Sequence, residues 1–328
     1  MKTEIKIILL LVFLSPVLGE LLSASAPPLE FFTFPLFFLL VGFYGGATLL
    51  IREARTRLGL QWSVVFLAIA YGILEEGLMV QSFFNWNHAD LNALQFYGYA
   101  FGVHWPWAIM LIVYHASIST LIPITMIDLL FPEYKQTPLL RKKGLILTAI
   151  LVSFIVVFIM MSVWALQPGF DLPYTPNPVL LLGSLCVIFL CIFAAWYFRN
   201  HRITMHKPLL LPPIFFGVAG VVIQGSVLFG TYAFASWQVP SGITVGIQFL
   251  GIFVLIVFCV TQFLHQNISY HQIMAFLLGS VLFWILLTPL HEFLNHLTGM
   301  FVVGLVMFLL LIWWRQKVIH QHQEPPLP

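Results

Sequence analysis

Glu75 and Glu76 stand side by side in the run Tyr71-Gly72-Ile73-Leu74-Glu75-Glu76-Gly77-Leu78-Met79, and His115 follows in Tyr114-His115-Ala116-Ser117-Ile118-Ser119. Paired carboxylates and an imidazole are the side chains of general acid/base chemistry: one group takes a proton from water while another steadies the charge that forms. A third stretch, His291-Glu292-Phe293-Leu294-Asn295-His296, adds two histidines and a carboxylate. His291 and Asn295 are four apart and share a helical face, whereas His296 is displaced by about 100°, so this is not the HExxH motif of zinc proteases. Side chains from separate segments still make a ligand set for a divalent ion. His115, His291, His296 and Glu292 are the expected metal ligands, and Zn2+ with an open coordination position is the ion they suit.

The elements that must position these groups are membrane helices. The chain has 328 residues, 60% hydrophobic and only 8% charged, whereas a soluble domain carries about 25% charged residues. So few charges cannot cover a soluble globule, yet they suffice for the loops of a protein whose helices face lipid. A soluble enzyme is excluded. A net charge of +2 with no basic stripe leaves no nucleic-acid partner. The expected fold is an all-α polytopic transmembrane helix bundle over residues 27–314, with a short tail at 315–328.

Crossing the hydrocarbon core takes apolar runs of about 20 residues. Nine occur, at 31–51, 60–82, 105–131, 144–166, 178–198, 209–235, 242–264, 272–290 and 298–314. Ahead of them Lys2 and Lys6 flank the apolar stretch Ile7 to Gly19, and Ala24-Ser25-Ala26 follows. That is the pattern of a secretory signal or signal-anchor at residues 1–26; uncleaved, it becomes a tenth helix.

Every basic residue then falls on one side. Lys2 and Lys6 precede the signal. Arg52, Arg55 and Arg57 follow the first span, Lys135, Arg141, Lys142 and Lys143 the third, Arg199, Arg202 and Lys207 the fifth, and Arg315 and Lys317 the ninth. The positive-inside rule places the mature N-terminus outside and the C-terminus in the cytoplasm, in a prokaryotic plasma membrane. The connection His265 to His271 carries no Lys or Arg, so its placement rests on its neighbours. Cys186, Cys191 and Cys259 lie within spans, so no disulfide framework is implied.

An ionisable group inside a membrane is costly unless paired, neutralised or hydrated, which makes each one a functional residue by default. Glu75 and Glu76 lie roughly 10 Å below the outer surface and His115 on the order of 15 Å. Consecutive antiparallel spans let them meet. Adjacent glutamates differ by about 100° on an α-helix, so both cannot point squarely at one partner. One carboxylate then faces the site while the other is protonated or held by a neighbouring helix. Ser119 and Tyr71, each one turn away, are the nearest polar supports. The plainer reading is a hydrogen-bonded lock between helices for the acids and a satisfied interhelical histidine for His115. Polar residues near an interface are ordinary, which is the corresponding reading for His104, His291, Glu292 and His296. The segment Phe83 to His104, with Asn85, Trp86, Asn87, His88, Asp90 and Asn92, is too long for a bare turn and is expected to pack over the outer mouth. In the sixth span Pro212-Pro213 and Gly217, Gly220, Gly225 and Gly230 permit close helix contact, a local break, or one wall of a pathway with Gln248 of the seventh.

The succession of a Glu-Glu pair on one span, a His on the next and a His-x-x-x-Asn further on resembles the CAAX-endopeptidase and bacteriocin-processing family of intramembrane glutamic proteases. The family's EExxxR, FxxxH and HxxxN/D elements match Glu75-Glu76, His115, and His291 with Asn295; Val80 stands at its Arg position and Leu111 at its Phe position. The resemblance implies that an acid activates water while the His and Asn support the tetrahedral intermediate.

These readings converge on a membrane-embedded hydrolase. Glu75 or Glu76 would be the base for water, and the substrate would be lipid-linked or a membrane-resident peptide among the membrane lipids. Two alternatives use the same residues: a permease in which the glutamates carry H+ or Na+ with a small solute, and a non-catalytic membrane subunit whose buried acids serve assembly.

Overall fold

Apolar side chains dominate the chain so thoroughly that backbone polar groups must be satisfied within each segment, and helices are the structure that does this. A computed structural model describes residues 2–86, 88, 91, 94, 96–165, 177–206 and 209–323. Among the described residues ten long helices form: α1 (residues 3–21), α2 (Leu36–Leu58), α3 (residues 64–79), α4 (Trp105–Leu130), α5 (Lys142–Val163), α6 (Pro178–Asn200), α7 (Pro213–Ser236), α8 (Ser241–Phe263), α9 (Tyr270–Phe293) and α10 (Met300–Gln323). Eight of them, α2 and α4 to α10, are long and apolar enough to cross a membrane. The all-α bundle expected from the sequence is the fold observed. The described strands are β1 (Tyr99–Ala100) and β2 (Val103–His104), an antiparallel pair with Tyr99 opposite His104.

The second expected span, 60–82, is the shorter helix α3. Gly59 closes α2 in the left-handed region at φ 67°, and the Leu60 amide returns to the Arg55 carbonyl at 2.9 Å. A Cβ there would be strained, so glycine is the residue that ends the helix. A turn through Gln61 to Ser63 follows, and beyond Met79 the chain leaves the helix at Gln81, φ 62°.

Residues 3–21, expected as part of a signal or signal-anchor, form a helix inside the bundle. Ile7, Leu11, Ser15 and Leu18 are fully buried, a spacing that keeps one helical stripe inward. Gly45 of α2 admits the contact: a Cβ there would stand 2.3 Å from the Val12 carbonyl oxygen. Ser15 Oγ donates to the Ser119 carbonyl at 2.6 Å and Tyr114 to the Gly19 carbonyl at 2.5 Å, tying α1 to α4.

The centre and rim of the bundle separate by burial. The apolar window is 67% buried in α4, 56% in α9 and 50% in α2, but 11% in α5 and 6% in both α6 and α8, so the last three turn most of their side chains outward. Helices α7 and α9 approach through glycine. A Cβ on Gly279 would lie 2.0 Å from the Gly217 carbonyl oxygen, and one on Gly220 would lie 2.4 Å from that of Phe276. Gly217 and Gly220 thus provide close contact rather than a break, since α7 is a continuous helix, whereas Gly230 faces open space.

Basic residues gather at one end. Arg55 pairs with Asp128 at 2.5 and 2.9 Å, Arg57 with Glu53 at 3.0 Å, and the Arg52 guanidinium donates to the Tyr134 carbonyl at 2.6 Å. Lys6 sits 5.9 Å over the Phe131 ring. Trp62 donates to the His201 carbonyl at 2.7 Å, Met205 bridges His265, and Tyr270 stacks on His322. The connection His265 to His271 therefore joins the basic end. At the opposite end Phe83, Phe84, Leu91 and Leu94 pack onto Leu18, Leu22, Trp107 and Tyr114. Asn87, Asp90, Asn92, Lys207 and residues 324–328 lie outside the described residues.

Candidate functional site

Four of the central helices widen locally into π-turns: α1 at Val17–Leu21, α2 at Val41–Gly45, α3 at Leu74–Met79 and α4 at His115–Leu121. These turns carry Glu20, Tyr44, the Glu75/Glu76 pair and His115. The i→i+5 bonding is explicit where the Val80 amide reaches the Glu75 carbonyl at 2.7 Å and the Leu22 amide reaches Val17 at 2.9 Å. Single π-turns inside α-helices occur frequently at functional sites.

The widened turns change what two adjacent acids can do. His115 Nε2 lies 3.0 Å from Glu76 Oε1, and Nδ1 lies 3.1 Å from Glu75 Oε2. Both glutamates reach one imidazole, contrary to the expectation from a regular helix. The π-turn narrows the angle between successive side chains, and the two ring nitrogens face opposite ways. Glu75, Glu76 and His115 are 2%, 8% and 2% exposed.

Each group has further partners. Nδ1 of His115 also meets Ser119 Oγ at 3.1 Å, the support expected one turn away. The second oxygen of Glu76 accepts from Ser82, whose hydroxyl in turn accepts from Trp107 Nε1 at 3.0 Å. The Tyr44 hydroxyl contacts Oε1 of Glu75 and Oε1 of Glu20. Glu75 Oε2 makes no hydrogen bond. Tyr71 and Tyr114 enclose the imidazole edge-on at centroid distances of 6.1 and 5.0 Å. Gly72 lets α3 come close: a Cβ there would stand 3.3 Å from both His115 Cβ and Ile112 Cα.

The cluster lines a cavity of about 890 Å³ whose walls include Glu20, Glu75, Glu76, His115, His291 and Asn295. Apolar residues of six helices close the rest, among them Leu40, Met79, Leu111, Ile159, Phe229 and Trp284. Pockets that take organic ligands have this anatomy, apolar walls with a few convergent polar groups.

The third sequence element divides. His291 and Asn295 reach the cavity, with Asn295 Nδ2 3.3 Å from His291 Nδ1 and His291 Nε2 without a hydrogen-bond partner. Glu292 instead accepts from the Phe301 amide at 3.0 Å, and His296 is exposed at φ 58°. Neither joins the buried cluster: Glu292 is rotated past the face of α9 that carries His291, and His296 lies beyond the end of the helix at Phe293. His104 is buried against the Leu94 carbonyl at 2.8 Å. Among the described residues the group able to hold a metal is Glu75, Glu76 and His115, each offering an atom within 4.8 Å of the others. His291, Glu292 and His296, which the sequence reading set beside His115 as metal ligands, are not part of that group.

Glu20 and Tyr44 were not anticipated. Glu20 falls in the segment that reads as a signal, so it drops out of any count of bundle acids. Its signal was an acid at the end of an apolar run. Tyr44 carries no mark in the sequence that separates it from other span tyrosines.

A bundle of ten helices, eight of them able to cross a bilayer, around a buried carboxylate and imidazole centre defines a multi-pass integral membrane protein. Residues 9–314 match the model of a family described as an uncharacterized membrane protein family, and the chain belongs to that family. No curated protein and no solved structure matches it. The likeness to the glutamic proteases rests on the three short elements alone.

Proposed function

We propose that the protein is a membrane-embedded hydrolase acting on a lipid-linked or membrane-resident peptide substrate held in the 890 Å³ cavity. The observation that carries this reading is Glu75 Oε2: a buried carboxylate oxygen with no hydrogen bond, 3.1 Å from an imidazole, on a residue that lines a mostly apolar cavity. A water molecule that reaches Glu75 from this cavity would give its proton to that carboxylate. Glu75 is the general base. Glu76 has both oxygens engaged, by His115 and Ser82, so its part is to orient the imidazole. His291, whose Nε2 has no hydrogen-bond partner, steadies the negative charge that forms on the attacked carbonyl oxygen, while His115, with both ring nitrogens engaged, holds the two carboxylates in place.

Zn2+ held by Glu75, Glu76 and His115 would polarise the same water. His291 and Asn295 on the cavity wall fit the role that the glutamic-protease resemblance gives them. The gathering of basic residues at the α3-to-α4 bundle's other end supports the site's opening to the outer leaflet, with the C-terminus cytoplasmic.

The test is hydrolysis by the purified full chain in detergent, with prenylated and transmembrane peptides as probes and cleavage products read by mass spectrometry. Cleavage that is lost in Glu75→Gln supports the reading. Gradient-driven uptake into proteoliposomes without cleavage would favour the permease.

A further inference from the structure

The helices around the cavity meet in two different ways. Helices α7 and α9 keep in contact toward their outer halves: a Cβ on Gly225 would stand 3.2 Å from the Phe283 ring, and Phe229 meets the same ring edge-on at 5.8 Å between centroids. Helices α2 and α5 part instead. Near their middles they touch, since a Cβ on Gly46 would stand 2.7 Å from Val152 Cγ2 and one on Gly42 would stand 2.6 Å from Ile155 Cδ1. Contact between them runs along residues 41–58 of α2 and thins over residues 36–40. One turn further out, Leu36, Leu39 and Leu40 of α2 and Ile159 of α5 line the 890 Å³ cavity. Burial follows the same gradient: Phe43, Val152 and Ile155 are buried, whereas Leu36, Leu39, Leu40 and Ile159 are half-buried. Their chain neighbours Phe38 and Phe158 are 63% and 47% exposed.

We infer that the cavity takes a lipid-linked substrate whose apolar chain enters from the bilayer between α2 and α5, past Leu39 and Ile159, while its polar part lies toward the outer rim. This rests on the reading of the cavity as the substrate site of a hydrolase and chooses one of the two substrate classes given there. The cavity is polar at its outer rim, where Ser23, Ser25 and Asn295 line it, and apolar on the side of α2 and α5. It therefore matches a molecule with a polar group at one end and an apolar chain at the other. A chain that passes from the bilayer into that side gives up little, because lipid tails are as apolar as leucine. A transmembrane helix is about 10–12 Å across and packs about 8–10 Å from its neighbours, so seating one between α2 and α5 would pull apart the contacts of Gly42 with Ile155 and of Gly46 with Val152. A single lipid chain passes between side chains and leaves those contacts in place. The passage leads to the reaction centre, since α5 packs on the π-turn Leu74–Met79 that carries Glu75 and Glu76, and Met79 lines the cavity with Ile159.

Photolabelling of the full chain in detergent tests the passage by binding, with no turnover needed. The probes are a short peptide carrying a palmitoyl chain and the same peptide carrying a geranylgeranyl chain, each with a diazirine on the chain, and an unlipidated transmembrane peptide with the diazirine in its apolar stretch. Labelled residues are read by mass spectrometry. A lipidated peptide is expected to label residues 36–40 and 155–163, the stronger of the two naming the kind of chain, and the transmembrane peptide to leave them unlabelled. Leu39→Trp and Ile159→Trp, which fill the passage, are expected to lose that label, and Phe158→Trp, on the exposed side of α5, to keep it. Leu36→Trp, nearer the outer edge, covers the case in which Leu39→Trp does not fold. Lipid label confined to α6 and α8, label that survives in the folded Leu39→Trp and Ile159→Trp proteins, or equal label at residues 36–40 from the transmembrane peptide overturns the inference. Label at the passage without cleavage of any probe would remove the proposed function and leave the passage; cleavage of a lipidated peptide with no label there would do the opposite.

Discussion

Glu76 Oε1 and His115 Nε2 lie 3.0 Å apart across two consecutive helices, although the residues are 39 positions apart in the chain. With its second oxygen held by Ser82, Glu76 fixes the imidazole in one orientation and leaves Nδ1 to Ser119 and Glu75. Orientation of an imidazole by a fully engaged carboxylate is the logic of catalytic triads. His115→Ala is accordingly expected to lower turnover by about 10²- to 10⁴-fold with folded protein retained. Turnover at the wild-type rate in that variant would remove His115 from the centre.

Metal binding separates the buried cluster from the outlying residues. Zn2+ titrated into the full chain is expected to bind through Glu75, Glu76 and His115. Affinity measured by calorimetry should be lost in Glu76→Gln and His115→Ala and unchanged in Glu292→Gln and His296→Ala. Loss in the last two would restore the ligand set drawn from sequence.

Much of the fold could be read from sequence because hydropathy reports a bilayer directly: eight of the nine expected spans reappear as helices α2 and α4 to α10. What could not be read has identifiable physical causes. The segment Ile7 to Gly19 is apolar on all sides, so a cleavable h-region and a buried bundle helix look alike until partners such as Gly45 and Ser119 are placed. The convergence of Glu75 and Glu76 on His115 depends on π-turns, for which the sequence has no pattern. Residue type alone points Glu292 and His296 to the site, whereas the direction of Glu292 depends on how α9 packs and that of His296 on where α9 ends.

The tightest backbone contact makes a stability prediction. Gly279→Ala places a Cβ 2.0 Å from the Gly217 carbonyl oxygen, so α7 and α9 must separate. Overpacking of this kind costs about 1–3 kcal/mol. Thermal unfolding in detergent should show a clear loss of stability, whereas Gly246→Ala, with open space around it, should show none.

At the basic end, Arg55 is 13% and Asp128 4% exposed, and they meet through two hydrogen bonds. Removing one partner of a buried ion pair leaves an uncompensated charge, at roughly 3–5 kcal/mol. Arg55→Ala is expected to destabilise by an amount toward the lower end of that range, and the Arg55→Ala/Asp128→Ala pair to recover part of it. A fully additive double-mutant cycle would show that the two do not interact.

The most direct test of the centre is hydrolysis by the purified protein in detergent, with no ion gradient, comparing the wild type with Glu75→Gln at matched folded concentration. The expected result is cleavage by the wild type and a loss of about 10²- to 10⁴-fold in the variant. Equal rates in the two proteins, or transport across a vesicle membrane in place of cleavage, would contradict Glu75 as the base of a hydrolase.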